Sequence, residues 1–160
     1  GIRDSSVTGV QTCALPIYCG YGDFMAYDDE ELLPQLVAEL GKEAVGIVLA
    51  HEFGHAVQMR NGDLDRGYPT VLTEQQADCF AGVWAHHTQQ SKHFLDPGDV
   101  EGALKAATAI GDDTLQEETQ GRVVPDSFTH GTSAQRVRWL RQGIENGSVK
   151  GCDTFNTRDL

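Results

Sequence analysis

Between Lys42 and Arg60 the chain is apolar almost all the way round a helix, through Ala44, Val45, Ile47, Val48, Leu49, Ala50, Phe53, Ala56 and Val57. A helix without a polar face is a buried helix, so any fold open to this chain is built around it. The same helix carries His51, Glu52 and His55. Histidines four apart share one face and can turn both imidazoles toward a single metal ion. Glu52 sits one step round, where its carboxylate reaches a water held by that ion. Zinc lowers the pKa of such a water to roughly 7, and a carboxylate can pass its proton to a leaving amine. A packed helix also holds ligand geometry.

Catalytic zinc usually has three protein ligands, with water in the fourth position. The long metzincin pattern needs a third histidine at position 61, which is Asn61. Further on, Glu74 and Asp78 stand at helical spacing, a pair that by itself most often marks a solvated helix face. In thermolysin-like enzymes, the gluzincins, a glutamate about twenty residues past the second histidine completes a His₂Glu site, and an aspartate four residues later orients one histidine. Glu74 and Asp78 resemble that pair. The resemblance implies zinc on His51, His55 and Glu74, with Asp78 accepting the free N–H of a ligand ring and fixing its tautomer. The rival third ligand is Cys19, as in peptide deformylases, but the Gly-Cys-Leu-Ser-like surroundings of that family are missing.

Around this centre the pattern predicts an α+β chain, mainly α: a zincin-like helical domain with a small N-terminal β element. Gly22–Asp28 alternates as a short half-buried strand; by the gluzincin resemblance it is the edge that binds substrate backbone. Helices are expected over 29–40, 42–60, from an N-cap at Thr73 with Gln76 in a capping box to about Gln89, from Asp96-Pro97 to near Gly111, and over 133–146. Ala77, Ala81, Gly82 and Ala85 keep one side of the third helix small, so that it can approach the zinc helix. Tyr68 reads as a packing tyrosine more readily than as a cleft residue, and His86, His87 and His93 read as surface.

His130 precedes the last helix in the loop Asp126–Thr132. Thermolysin-like enzymes place a histidine steadied by an aspartate where the oxyanion forms. By that resemblance His130, held by Asp126, is a candidate catalytic donor; a loop histidine capping a helix is the alternative.

The 160 residues, 39% hydrophobic, suffice for one core. Lys and Arg total 12 against 24 acidic residues, a net charge of −12, which disfavours nucleic acid and anionic membranes as partners. Residues 1–17, including Val7–Ile17, resemble the translated sequence of a sequencing-library adapter, so the native domain is expected over 18–160. With Cys13 set aside, Cys19, Cys79 and Cys152 match no zinc ribbon. Cys79 reads as a small buried apolar residue, and a Cys19–Cys152 bridge is possible in an oxidising compartment.

From Tyr18 onward the chain resembles the bacterial neutral zinc metallopeptidase family. The match rests on His51–Gln58, Glu74–Trp84, Ala109–Asp113, Pro125–Ser133, Gln135-Arg136 and Cys152–Phe155. The resemblance implies zinc at the two histidines, Glu52 as catalytic base and a peptide or protein substrate. It also implies an extracytoplasmic setting, since members often carry an N-terminal membrane anchor or lipoprotein signal. From another class, a non-catalytic zinc-stabilised binding module is the alternative; a structural site usually has a fourth protein ligand, and none is evident near the motif.

Overall fold

The computed structural model describes residues 17–20, 22–92, 98–109 and 111–157. Residues 1–16, His93, Asp96 and Pro97 lie outside that set. The chain is α+β and mainly α. An antiparallel hairpin of β1 (Ile17–Cys19) and β2 (Phe24–Ala26), with Tyr18 opposite Met25, leads into α1 (Leu32–Leu40) and α2 (Lys42–Asn61). Then follow α3 (Thr70–Lys92), α4 (Asp99–Ala109), α5 (Asp112–Gln120) and α6 (Ser133–Asn146), with short 3₁₀ turns at Leu64–Arg66, Pro125–Ser127 and Val149–Gly151.

Helix α1 begins at Leu32 rather than Asp29 and α3 runs on to Lys92; three further differences from the sequence reading have local reasons. Helix α3 begins at Thr70, directly after Pro69, and the Thr73 hydroxyl donates back to Thr70 O at 2.8 Å instead of capping. Residues 112–120 form a helix that no periodicity announces, because Leu115 is the lone apolar residue in it. The strand after Gly22 is three residues long, and it is β1 that packs against α2. The bounds of α6 match the expectation, and the Thr132 side chain and Gln135 close its start with a reciprocal capping box.

The core joins α2, α3, α4 and α6 through Ile47, Ala50, Ala81, Ala85, Ala103, Ala107 and Leu140. Leu140 is 1% exposed, so truncating it to alanine costs about 2–5 kcal/mol. The small residues of α3 serve two partners. Ala77 meets α2 at Gly54, where an added Cβ would lie 3.1 Å from Ala77 Cα; Gly82 meets α6 at Gly143, where a Cβ added to Gly82 would collide with Leu140 O and one added to Gly143 with Cys79 O. Tyr68 stacks on Phe155 with ring centroids 4.1 Å apart, a packing role. His86 and His87 sit at the far end of α3, facing Ile144 O and Gly147 O at 2.7 and 2.8 Å, so they latch that end to α6.

Cysteine pairing departs from the expectation. Cys79 and Cys152 form a disulfide with Cα atoms 5.6 Å apart, and both are fully buried beside Val83 and Trp139. Cys19 lies on the hairpin, outside this bridge. The final 3₁₀ turn folds back against α3 and carries Cys152 to it. Closing a loop across 73 residues of sequence is worth about 4 kcal/mol in the chain-entropy account.

Candidate metal centre and active site

Two helices supply the candidate ligands. His51 and His55 project one turn apart from α2, and Glu74 projects from the first turns of α3. Their ligand atoms all lie within 4.8 Å of one another. Glu74 Oε2 is 3.1 Å from His51 Nε2 and 3.5 Å from His55 Nε2, and the two rings stand perpendicular. Each ring therefore turns Nε2 inward and leaves Nδ1 for a protein partner. His51 Nδ1 meets Asp78 Oδ1 at 2.8 Å, and His55 Nδ1 meets Gln58 Oε1 at 2.8 Å. Two imidazole nitrogens and a carboxylate oxygen, with both outer nitrogens engaged, form a donor set that fits zinc.

Charge is balanced by burial and pairing. Burial opposes charge on His51, but the carboxylates of Asp78 and Glu74 prevail and hold its pKa up to about 9. Burial likewise works against the Glu74 carboxylate, and hydrogen bonds from His51 and His55 reverse this, setting its pKa far below the usual range. Asp78 is also lowered despite burial, chiefly by Arg136. That guanidinium grips it as a fork, Nε to Oδ2 at 3.0 Å and Nη2 to Oδ1 at 2.9 Å.

Glu52 is half-buried, and its Oε2 accepts the backbone N–H of Tyr18 at 2.8 Å. His130 also reaches the cluster, with Nε2 4.0 Å from Glu74 Oε2. The aspartate beside it is Asp112 and not Asp126, which lies exposed in the 3₁₀ turn. Asp112 Oδ2 accepts the backbone N–H groups of Thr129, His130 and Gly131 at 2.7, 2.7 and 3.0 Å, and Oδ1 is 3.5 Å from His130 Nδ1. The helix α5 that the sequence hid brings Asp112 to this loop.

A cleft of about 600 Å³ is lined by Glu52, His130 and the three candidate ligands, with Ala103, Ala106, Ala107 and Leu115 also in its wall. On the hairpin side it is bordered by Tyr18 and Gly20 rather than by β2, so the strand beside the site is β1 and not the Gly22–Asp28 segment.

Residues 3–155 match the family described as "Putative neutral zinc metallopeptidase". The chain belongs to this family. It is 46% identical over 158 residues to "Uncharacterized protein YpfJ" of Escherichia coli (strain K12), covering 88% of this chain and 54% of that relative. It is 40% identical over 166 residues to "Uncharacterized protein Rv2575" of Mycobacterium tuberculosis (strain ATCC 25618 / H37Rv), covering 91% of this chain and 56% of that relative. The chain thus spans about half the length of these relatives. No solved structure matches it. Among the described residues, no helix is long and apolar enough to cross a membrane.

For this member of the zinc metallopeptidase family, sequence reasoning missed three supporting residues. Arg136 had a legible signal, since it lies one turn before Leu140 on the buried face of α6, and a charge there needs a buried partner. Asp112 and Gln58 had none beyond their place in the motif blocks.

Proposed function

We propose that this chain is a zinc-dependent peptidase domain, with His51, His55 and Glu74 as zinc ligands, Glu52 as general base and His130 as oxyanion donor. What carries the reading is the convergence of three ligand atoms from two helices in an open cleft, flanked by one further carboxylate and one further imidazole. Zinc bound there supplies Lewis acidity to a scissile carbonyl and lowers the pKa of water.

The protein's own groups do the rest. Glu52 Oε2 is held by Tyr18 N–H, which leaves Oε1 to take a proton from the attacking water and return it to the leaving nitrogen. His130 Nε2 faces the cluster while Asp112 ties down its loop, so an N–H there meets the oxyanion as charge develops. A preorganised donor of this kind contributes about 3 kcal/mol to the barrier. The alanine wall of α4 suits a bulky apolar side chain of a peptide substrate. The Cys79–Cys152 bridge supports a setting outside the cytoplasm, because disulfides persist in oxidising compartments; membrane association would then come through an N-terminal anchor.

Peptide-library hydrolysis by zinc-loaded protein, with Glu52→Gln as control, tests the reading. Cleavage by the parent chain alone is the expected result. Equal activity in the variant removes Glu52 from its role. Silence from both chains, each binding one zinc, points to the zinc-stabilised binding module instead.

A further inference from the structure

Gln58 is fully buried, and both ends of its amide are engaged. Its Nε2 donates to Thr73 O at 2.6 Å and to Gln76 Oε1 at 2.9 Å, while Oε1 faces His55 Nδ1 at 2.8 Å. Gln76, also buried, donates from Nε2 to Cys152 O at 3.1 Å. The direction of every bond in this series follows from its ends. Thr73 O and Cys152 O are peptide carbonyls and can only accept. Gln76 must then present its NH₂ to Cys152 and its oxygen to Gln58. Gln58 must present its NH₂ to Gln76 and Thr73, and its oxygen to His55. Turning either amide over would set oxygen against oxygen in a buried place, leaving donors and acceptors unmatched. With an acceptor facing Nδ1, the proton of a neutral His55 ring belongs on Nδ1, and the lone pair is left on Nε2, the nitrogen turned toward Glu74.

We propose that Gln58 and Gln76 are positioning residues that fix the tautomer and ring orientation of His55 by a hydrogen-bonded relay starting at the Cys152 carbonyl. The inference rests on the metal reading of the site and goes beyond it, because it joins a ligand to the C-terminal segment. That segment is itself pinned. The Cys79–Cys152 bridge ties it to α3, and Thr154 Oγ1 donates to Leu72 O at 2.7 Å on the same helix. The two ligand histidines are thus supported unlike each other. His51 leans on a carboxylate that is gripped by Arg136, whereas His55 leans on a neutral amide whose polarity is set at a main-chain carbonyl.

Zinc affinity by chelator competition, paired with long-range ¹H–¹⁵N spectra of the histidine rings in the zinc-loaded protein, tests the relay. In the parent chain His55 Nδ1 should appear as a protonated, hydrogen-bonded nitrogen and Nε2 as the metal-bound one. Gln58→Leu should lower zinc affinity about 10–100-fold and weaken the hydrogen-bonded Nδ1–H signal; Gln76→Leu should shift both readouts in the same direction by less. Parent-like affinity and ring spectra in Gln58→Leu would overturn the relay while leaving the metal reading intact. Should that variant not fold, the parent spectrum still decides, since an unprotonated Nδ1 on His55 refutes the proposal. A parent chain that takes up no zinc overturns the metal reading and the relay with it.

Discussion

The backbone N–H of Tyr18 in β1 donates to the Glu52 carboxylate on α2 across 2.8 Å. Tyr18 occupies the central position of its strand, opposite Met25, and its N–H points to α2 and not into the hairpin. Asp23 adds a second tie, taking a hydrogen bond from Tyr18 Oη at 2.8 Å and an ion pair from Arg60 at 2.6 Å. The hairpin thereby orients the proposed base.

Removing that one donor should therefore cost chemistry more than metal. Tyr18→Pro deletes the N–H, and a hydrogen bond to a charged group is worth about 1.5–3 kcal/mol. The expected outcome is a fall in kcat of about tenfold or more, with zinc content unchanged. Steady-state kinetics beside metal analysis checks it, and an unaltered kcat would show that Glu52 needs no such tie.

The two aspartates near His130 should behave differently. Asp112→Asn weakens the acceptor of three backbone N–H groups and should lower peptidase activity about 10-fold through the oxyanion donor. Asp126→Asn, on an exposed turn, should leave activity at the parent level. Comparing kcat/KM for both variants settles which residue steadies the loop; the reverse ranking would restore Asp126.

Zinc uptake should be a proton-releasing reaction. In the metal-free chain His51 is held up to about 9, so at pH 7 the ring carries a proton that zinc must displace. Apparent affinity should climb about tenfold per pH unit up to roughly 9 from this ring alone. Folding of the metal-free chain has the opposite trend. With a folded pKa above the ordinary 6.5, the stabilisation is complete below about 6.5 and is lost as pH rises through about 9. Titration calorimetry in buffers of different ionisation enthalpy counts the protons, and zero release at pH 7 would contradict a charged His51.

Arg136→Met should be severe. It leaves the buried Asp78 carboxylate without its guanidinium fork, an arrangement that typically costs about 3–5 kcal/mol. Urea denaturation of the metal-free chain measures this. Arg138→Met, at an exposed position over the Trp139 ring, should cost about 1 kcal/mol or less. Equal losses in the two variants would deny the Asp78–Arg136 pair its special standing.

What was legible in the sequence was whatever helical spacing alone determines. The i,i+4 relation of His51 and His55, and that of Glu74 and Asp78, is a property of one helix turn and was visible before any folding, whereas the meeting of the two pairs was read from the gluzincin resemblance. The bounds of α6 were visible as well; the apolar girth of α2 was visible too, but it is not buried all round, since Phe53 is 59% exposed. What stayed hidden depends on how distant segments return. Asp126 is four residues from His130 in sequence, yet the tie comes from Asp112, carried in by a helix with a single apolar residue. Cys152 pairs with Cys79 because the turn after α6 folds back on α3, which no spacing rule encodes. Thr73 had the chemistry of a cap, but three helical residues precede it, so its hydroxyl turned to the turn behind.

The Gly82–Gly143 contact sets a tolerance on the candidate metal centre from a distance. Asp78 lies one turn before Gly82 on α3, and Arg136 lies two turns before Gly143 on α6. The spacing between the two helices, and with it the reach of the guanidinium to the carboxylate that braces His51, is therefore gauged by two side chains that are not there. A methyl group added at either glycine would act as a shim. It would pry the helices apart where no ligand sits, and the slack would surface at the imidazole.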